Sequence, residues 1–460
     1  MIRIFNHYLH RQTLLQAFFD LGLILFAVVA VVMAQGESGG HVLSFAASQG
    51  LSLAGGMFVI NTATGFYQHA HNRSVTESCA RALLGMMFGL PLAYAIFSLL
   101  PADAAHRELI TQVAMASVAL VMVHRVYAAH VGPQSRLRSR ILIFGSGQAA
   151  KTVGATLRAA DPHAHVVGYI AGPNEDHPEV PRDQLIEARG TLTETARGMN
   201  VDEIVIAVTE RRGGSMPMRE LLDCKLNGVR VVDIATYFEK TLAQIKISHV
   251  NAGWLIFGDG FNQGWLRSFV KRVFDIASAL LILAVAWPIM LLAALLIKLE
   301  SPGRVLYLQE RVGQNGKPFK VIKFRSMCSD AEKDGKPRWA SQNDDRVTRV
   351  GRFIRKVRID ELPQLFNVLL GDMSLVGPRP ERQYFVNELI AQIPFYAVRH
   401  SVKPGVTGWA QVRYEYGSTI EDSVEKLQYD LYYVKNHTLF LDLLIMLETV
   451  AVVLTGKGAR

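Results

Sequence analysis

The sequence predicts three successive parts: a membrane α-helical bundle, a Rossmann-like α/β domain, and a second α/β domain with a re-entrant, proline-broken membrane helix. Half of the 460 residues are hydrophobic, and several apolar runs are long enough for a membrane helix. Strand-like and helix-like runs alternate after residue 140. Later, an uncharged run containing a proline precedes a region dense in polar motifs. The predicted boundaries are 1–133, 139–250 and 266–460, with the re-entrant helix at 270–299.

The composition favours a membrane protein that handles anions. The mean hydropathy of +0.18 is high for a soluble protein. Lys and Arg number 49 against 40 Asp and Glu, an excess that fits anionic lipid head groups and phosphate-bearing substrates better than a nucleic acid. The three cysteines form no CxxC pair, which argues against a disulfide scaffold or a zinc site and favours the reducing cytoplasm.

Four apolar stretches precede residue 130, and each holds about 20 residues, enough to cross a bilayer as a helix. Basic residues precede the first stretch, lie in the second loop and follow the fourth stretch, whereas the first loop has none. By the positive-inside rule, this alternation places both ends of the region in the cytoplasm. The first stretch is too long for a signal peptide and lacks a clear cleavage site. A buried soluble bundle is the alternative, and Asp20 and His124 are expected to serve helix packing or to mark a span end. The stretches run at 14–34, 42–63, 80–100 and 109–128.

The middle of the chain carries a glycine-rich turn between a strand and a helix. Gly145, Gly147 and Ala150 form a GxGxxA pattern after the apolar run 141–144, which is the context of a phosphate-binding turn. A dinucleotide site also needs an acidic residue at the end of the second strand, and the nearest acids, Glu175 and Asp176, lie in a loop. Nucleotide binding and a structural or regulatory domain both remain open. Further strands are predicted at 166–170, 203–208 and 229–234, with Asp233 and Glu239 as surface or capping residues.

The run Ile276–Ile297 is uncharged over 22 residues, yet three arguments favour re-entry over crossing. Basic residues flank both of its ends, so both ends prefer the cytoplasm. Pro288 removes a helix hydrogen bond in the middle of the run and forces a bend. A fifth crossing would also place the remaining residues outside the cell. The alternative is an ordinary kinked span.

Polar motifs follow this run in close succession, and they carry the chemistry. Basic and apolar residues alternate around Lys323 and Arg325, so one face could pack while these two cations meet an anion. An ordinary amphipathic strand would show the same alternation. The motifs are, in order, SPG at 301–303, QERVG at 309–313, FKVIKFRSM at 319–327, NDDRVTRVGR at 343–352, RIDELPQLFNV at 358–368, GDMSLVGPRPE at 371–381 and KPGVTGWAQ at 403–411.

This series resembles the catalytic domain of the monotopic phosphoglycosyl transferases, the bacterial sugar transferase family. The resemblance covers about residues 265–460, nearly continuously and in the family's order. The upstream spans and Rossmann-like domain look like those of the large members, the undecaprenyl-phosphate hexose phosphotransferases of capsule and exopolysaccharide synthesis. The resemblance implies a multi-pass protein of the bacterial inner membrane. Its α/β catalytic domain is expected to be monotopic and to face the cytoplasm.

The resemblance also implies a two-step mechanism on the pair Asp360-Glu361. In the family the Asp attacks the sugar-bearing phosphorus of a UDP-sugar, UMP leaves, and undecaprenyl phosphate then takes the phosphosugar. A carboxylate suits such an exchange, and Mg²⁺, held by Asp360, would neutralise the meeting anions. Glu361 is expected to assist either metal binding or proton handling. The expected substrate- or phosphate-binding residues are Lys323, Arg325, Arg358, Arg379, Lys403 and Gln411.

Each assignment has a structural alternative. Asp360 precedes an apolar helical pattern and could be its N-cap. The Arg379 side chain between two prolines suits a phosphate, but it could equally close a loop through a salt bridge. The Asp344-Asp345 pair could be a solvated turn. Lys403, Thr407 and Gln411 could form a purely structural turn.

The C-terminal segment 438–455 is apolar but contains Asp442 and Glu448, so a crossing helix would be costly. A helix at the membrane interface or packed on the catalytic domain is expected.

The predicted activity is transfer of a hexose-1-phosphate, with glucose favoured, from a UDP-sugar to undecaprenyl phosphate at the start of a polysaccharide repeat unit. Inner-membrane lipids and a homodimer are the other expected partners, with no nucleic acid. Two alternatives belong to other classes. A membrane-bound NAD-dependent nucleotide-sugar dehydratase would need a Tyr-xxx-Lys pair, which the chain lacks. A non-catalytic regulatory subunit would have no need of the carboxylate pair.

Overall fold

The computed structural model describes most of the chain beyond residue 139 and part of the region before it. The described residues form two compact units, one holding most of 1–249 and the other most of 250–460. Scattered positions are also described between the main ranges. Those ranges are 2–4, 7–9, 11–34, 50–63, 139–160, 164–172, 177–187, 190–208, 216–250, 264–328, 346–414 and 419–455.

Apolar helices follow a short pair of strands in the first unit. Strands β1 (Ile2–Ile4) and β2 (His7–Leu9) pair with each other. Helix α1 (Arg11–Ala34) confirms the helix predicted at 14–34, and its segment Leu14–Ala34 has a mean hydropathy of 2.6. Helix α2 (Leu51–Ala63) covers the second half of the next predicted stretch.

The other predicted stretches are described in part. A short apolar helix at Met115–His124 falls within the stretch 109–128. Most of 80–100, and residues 42–49, lie outside the described residues. The described helices share one core, formed by residues such as Val28, Leu53 and Val118.

Asp20 is buried within this first unit and contacts His124. The His124 Nδ1 and Asp20 Oδ1 atoms are 3.1 Å apart, although the residues are 104 positions apart in sequence. The contact joins two apolar helices, as the expected packing role requires.

A parallel α/β sheet forms the rest of the first unit, as predicted. It consists of β3 (Ser139–Phe144), β4 (Ala164–Ile170), β5 (Glu203–Ile206) and β6 (Arg230–Asp233) in the order β4-β3-β5-β6. Alternate side chains of β3 enter separate cores on the two faces, which explains why these strands read as continuous apolar runs. The helices of this region are α3 (Gln148–Ala160), α4 (Leu192–Gly198), α5 (Met218–Leu226) and α6 (Ile234–Leu242), with 3-10 turns at Arg182–Gln184 and Ile247–His249.

Two acidic residues near the last strand behave differently. Asp233 is the N-cap of α6, because its Oδ1 accepts a hydrogen bond of 2.7 Å from the Thr236 N–H, so the capping prediction is confirmed. Glu239 is only 4% exposed, so its predicted surface position is wrong. It lies on the buried face of α6 beside Phe238.

The second unit begins with the long apolar helix α7 (Trp265–Glu300), which has a mean hydropathy of 2.8 over its membrane-like window. With the first apolar helix, it indicates association with a membrane. Pro288 lies inside α7, and the helix continues on both sides of it. The predicted interruption of the helix at Pro288 is therefore wrong. A proline removes only one helix hydrogen bond, and the apolar turns before and after it continue the pattern.

Small sheets and short helices complete the second unit. Strands β7 (Leu306–Val312) and β8 (Pro318–Phe324) form an antiparallel hairpin, and β9 (Ser374–Val376) pairs in parallel with β10 (Gly405–Thr407). The helices are α8 (Arg349–Lys356), α9 (Gln364–Leu370), α10 (Gln383–Gln392), α11 (Trp409–Arg413), α12 (Ile420–Asn436) and α13 (Leu439–Thr455), with 3-10 turns at Gln314–Gly316, Ile359–Glu361 and Tyr396–Ser401.

Helix α13 packs within the second unit, as the charges of the tail predicted. Asp442 is fully buried, where its carboxylate pairs with Lys271 at 2.8 Å and accepts a hydrogen bond of 2.7 Å from the Tyr433 hydroxyl. Glu448 is also buried and pairs with Arg413. Both charges are therefore neutralised by protein partners, as buried carboxylates require.

Candidate active site

Asp360 and Glu361 lie in the 3-10 turn Ile359–Glu361, directly after Arg358 in the left-handed conformation with φ of 59°. The following helix α9 begins at Gln364, and Pro363 occupies its N-cap position without a side-chain hydrogen bond. The alternative in which Asp360 caps this helix is therefore wrong. Both residues are buried, with only 8% of each exposed.

Three cations surround the Glu361 carboxylate. Its Oε1 accepts hydrogen bonds from Arg379 Nη2 at 2.8 Å and from Lys323 Nζ at 3.3 Å. Its Oε2 lies 3.7 Å from Arg358 Nη1. The structure thus brings three of the predicted phosphate-binding residues together beside the predicted carboxylate pair.

The two neighbouring carboxyl groups have opposite electrostatic environments. Burial and the charge of Glu361 raise the pKa of Asp360 to about 6, against the opposing charges of Lys323, Arg355 and Arg379. Burial would also raise the pKa of Glu361, but the charges of Arg379, Lys323 and Arg358 outweigh it and hold that pKa well below its usual range. Near neutral pH, Glu361 is a permanent anion, and Asp360 ionises at the cost of its burial.

The Asp360 carboxylate has no such partners. Within the part of the chain that the structure describes, no donor is hydrogen-bonded to it and no cation lies within 4.0 Å. A buried carboxylate without hydrogen bonds is poorly stabilised and keeps its lone pairs available. Such a group can attack an electrophile or bind a metal ion.

Arg379 and Gln411 extend the site beyond the strand pair β9–β10. Both follow the carboxyl ends of these parallel strands, and Arg379 Nη1 donates to Gln411 Oε1 at 2.9 Å. The buried Gln411 Nε2 has no hydrogen-bond partner among the described residues. A buried donor without a partner is costly, so this amide is suited to an oxygen of a bound substrate.

Two predicted phosphate-binding residues lie elsewhere. The Arg325 guanidinium donates to the Ser301 carbonyl at 2.8 Å and the Pro302 carbonyl at 2.7 Å, so it caps the end of α7 rather than joining the Glu361 cluster. Lys403 lies beside Arg272 near Gly371, where burial first and then the charge of Arg272 lower its pKa. The contacts of these two cations therefore do not support their predicted place in the phosphate site.

The remaining predictions in this region have mixed outcomes. Thr407 is hydrogen-bonded to Thr449 at 2.7 Å, which fits its structural alternative. The pair at 344 and 345 lies outside the described residues.

The glycine-rich turn of the first unit is occupied by a side chain of the same chain. Glu175 Oε2 accepts hydrogen bonds from Ser146 N, from Ser146 Oγ at 3.0 Å and from Gly172 N at 3.1 Å. Gly147 lies so close that a Cβ there would approach Glu175 Oε1 to 3.2 Å. Gly145 is required for a different reason, because its φ is 135° and its backbone approaches that of Ala207.

The third residue of the pattern, Ala150, is fully buried in the core on one face of the sheet. The turn thus has the predicted strand-to-helix context, but its Ser146 N–H already binds a carboxylate.

A buried pair that contacts the site, Arg399 and Asp430, is absent from the residues predicted from the sequence. Arg399 Nη2 donates to the Arg379 carbonyl at 2.9 Å and forms an ion pair with Asp430 Oδ2 at 2.7 Å. No local motif marks a pair separated by 31 positions. A charged residue at a buried position of the helical pattern, as Asp430 is in α12, was the available signal.

Comparison with known proteins supports the same region. The family model described as bacterial sugar transferase matches residues 266–456. A UDP-N-acetylgalactosamine-undecaprenyl-phosphate N-acetylgalactosaminephosphotransferase of Aeromonas hydrophila is 46% identical over 242 residues, which are 53% of this chain and 56% of that protein. A UDP-glucose:undecaprenyl-phosphate glucose-1-phosphate transferase of Caulobacter vibrioides is 48% identical over 192 residues, 41% of this chain and 71% of that protein.

An exopolysaccharide production protein of Rhizobium leguminosarum is 45% identical over 198 residues, 41% of this chain and 98% of that protein. The chain spans about half the length of the Aeromonas protein, at 56%. The match covers 71% of the Caulobacter protein and 98% of the Rhizobium protein. The family region 266–456 includes Asp360 and Arg379. The chain therefore belongs to the bacterial sugar transferase family.

Proposed function

We propose that this chain is a phosphotransferase that moves a sugar-1-phosphate from a UDP-sugar to undecaprenyl phosphate and releases UMP. The observation that carries the proposal is the buried Asp360 carboxylate, which has no hydrogen-bond donor among the described residues and stands beside a Glu361 held by cations. The substrates come from the relatives, whose names include undecaprenyl phosphate and UDP-sugars.

The proposed reaction has two displacements at one phosphorus atom. An Asp360 oxygen attacks the sugar-bearing phosphorus of the UDP-sugar, and the bond to the bridging oxygen breaks. UMP leaves with that electron pair, and the phosphosugar remains on Asp360. A phosphate oxygen of undecaprenyl phosphate then attacks the same phosphorus and displaces the carboxylate, which regenerates the enzyme.

The surrounding residues have separate tasks in this proposal. Glu361 stays ionised and fixes Arg379 and Lys323, whose positive charges would stabilise the charge that develops on the phosphoryl oxygens. Gln411 Nε2 supplies a further neutral donor. Arg358 balances the second oxygen of Glu361.

Mg²⁺ fits this site as a partner that arrives with the substrate. Among the described residues there is no group of three or more acidic, His or Cys side chains that could hold a metal alone. Mg²⁺ commonly binds one or two carboxylates together with substrate phosphates and keeps several waters. Asp360 would be the protein ligand, and the ion would neutralise charge on the diphosphate.

The proposed architecture has a re-entrant α7, four spans before residue 133, a Rossmann-like domain at 139–250 and a catalytic domain at 266–460 facing the cytoplasm. Both ends of α7 pack on the same unit, which supports re-entry: Arg272 donates to the Leu369 carbonyl at 2.8 Å, and Ile297 shares a core with Phe324. The exposed Cys328 offers a native probe. An impermeant maleimide should label it in inverted vesicles of a Cys79→Ser variant, and labelling in intact spheroplasts would contradict the topology.

Glucose is the expected sugar, and N-acetylgalactosamine is the second candidate, which the Aeromonas relative favours. The two donors differ by a hydroxyl configuration and an acetamido group. A site that hydrogen-bonds one of these groups discriminates strongly against a donor that lacks it.

The deciding experiment is UMP release from a panel of UDP-sugars by the full chain in detergent with undecaprenyl phosphate. Wild type, Asp360→Asn and the exposed control Glu388→Gln are compared. We expect lipid-dependent UMP release with one donor, a loss of at least about 10³-fold in Asp360→Asn, and an unchanged control. Without lipid, wild type should release about one UMP per enzyme and gain the mass of a phosphosugar on Asp360.

Folded wild-type protein that releases no UMP with any donor would overturn the proposal. Full activity in Asp360→Asn would leave the reaction in place and remove its nucleophile.

A further inference from the structure

The segment Pro378–Glu381, which carries Arg379, depends on other segments for the hydrogen bonds of its backbone carbonyls. Two of its residues are prolines, which lack an N–H, so the segment has few donors of its own. Its four carbonyls are all satisfied from outside. The donors are Gly405 N at 3.0 Å to Pro378, Arg399 Nη2 at 2.9 Å to Arg379, Arg311 Nη1 at 3.2 Å to Pro380 and Val312 N at 2.9 Å to Glu381.

Arg399 is the buried side chain among these donors, with a side-chain exposure of 6%. Asp430, at 3%, neutralises it through bonds to Nε at 3.0 Å and Nη2 at 2.7 Å. Its Nη1 donates to the Tyr396 hydroxyl at 2.8 Å. The guanidinium is thus fixed in its plane by three partners, which is the geometry in which Arg and Lys are not interchangeable.

We propose that Arg399, held by Asp430 and Tyr396, is a positioning residue that sets the backbone of Arg379 and thereby the geometry of Arg379 against Glu361 and Gln411. Arg399 touches no substrate, and its effect passes through one carbonyl. The inference rests on the proposed function and deepens it, because the charge balance of the Asp360-Glu361 pair depends on where the Arg379 guanidinium lies.

The conservative variant Arg399→Lys separates positioning from charge neutralisation. A lysine can still pair with Asp430 but cannot also reach the Arg379 carbonyl and the Tyr396 hydroxyl in one plane. We expect kcat to fall about tenfold with little change in the KM for the UDP-sugar. Tyr396→Phe removes one bond to Arg399, so its loss should be smaller.

The turnover per folded molecule supplies a readout that a purely structural role would not change. A displaced Arg379 guanidinium should lower kcat for the folded enzyme, because its contacts with Glu361 and Gln411 are then misplaced. A variant that only loses folded protein keeps the wild-type kcat per folded molecule.

A double-mutant cycle with Arg379→Lys tests the route of the effect. If Arg399 acts through Arg379, adding Arg399→Lys to the Arg379→Lys background should cost little more. Asp442→Asn is the matched control, because it removes another buried ion pair of the same unit that touches neither Arg379 nor Glu361. It should leave the kcat per folded molecule unchanged.

Two results would overturn the inference while UMP release by wild type upholds the proposed function. One is an Arg399→Lys variant that folds and keeps the wild-type kcat per folded molecule. The other is full additivity with Arg379→Lys. Loss of wild-type activity itself would instead refute the proposed function.

Discussion

Two carboxylates, one in each compact unit, meet their surroundings in opposite ways. Glu175 lies on the glycine-rich turn, where it accepts hydrogen bonds from Ser146 and Gly172. Asp360 is buried beside another carboxylate and accepts none from any residue that the structure describes. The first charge is satisfied by the fold, whereas the second needs a partner from outside.

The difference shows that a motif can predict an anion-binding position without indicating whether the anion is a ligand or a side chain of the same protein. The GxGxxA turn presents the backbone N–H expected of a phosphate site, and Glu175 already uses it. The turn around Asp360 has no comparable glycine pattern, yet its carboxylate lacks a hydrogen bond from any described residue and can therefore bind or attack a substrate.

The largest expected effect is the dependence of UMP release on Mg²⁺, which should involve Asp360 and not Glu175. A carboxylate that meets a diphosphate needs a cation, so chelation of Mg²⁺ by EDTA should abolish UMP release, and added Mg²⁺ should restore it. Melting of the unit that contains Glu175 should not respond to chelation. Turnover that persists in excess EDTA would remove the metal from the reaction.

The second effect is the pH dependence of turnover. Asp360 has a pKa of about 6, and only its ionised form attacks phosphorus, so kcat should fall about tenfold per pH unit below that value. The ionisation of Glu361 adds no further pH dependence of kcat in this range, because the neighbouring cations keep its carboxylate ionised. A profile that stays flat to pH 5 would contradict the assignment of Asp360 as nucleophile.

The smallest effect is on stability, and its sign should differ between the sites. The folded state binds a proton at Asp360 more tightly than the unfolded chain, so the ionised group lowers stability above pH 6. Asp360→Asn should therefore raise the free energy of unfolding at pH 7.5, by at most about 3 kcal/mol, with the gain shrinking toward pH 4. Glu175→Gln should lower it by about 1–2 kcal/mol through weaker hydrogen bonds, with turnover retained.

Calorimetric melting of each variant at pH 7.5 and pH 5 measures both signs. A destabilised Asp360→Asn variant or a stabilised Glu175→Gln variant would contradict the predicted opposite effects of the two carboxylates on stability.

Local patterns predicted what depends on neighbours in sequence. The parallel sheet, the capping role of Asp233 and the packing of the tail by Asp442 and Glu448 follow from strand runs, cap chemistry and the cost of buried charge. The Asp360-Glu361 pair was found through its motif. Its electrostatic asymmetry was not, because that depends on cations from three separate elements.

Contacts between distant segments could not be predicted locally. Arg325 and Lys403 belong to basic motifs, and nothing local shows that one caps α7 and the other adjoins Arg272. Their predicted roles in phosphate binding stay predictions. The interruption expected at Pro288 overestimated the effect of one lost hydrogen bond in a long apolar helix. Arg399 and Asp430 become visible only when α12 is folded against the site.

The hydrogen bonds that hold Pro378–Glu381 also have an entropic consequence. Backbone freedom around Arg379 is lost when the unit folds, since two prolines and four outside donors fix the segment. The guanidinium therefore needs little further ordering each time a substrate binds. The conformational entropy that a mobile arginine would lose in every catalytic cycle is instead lost once, during folding.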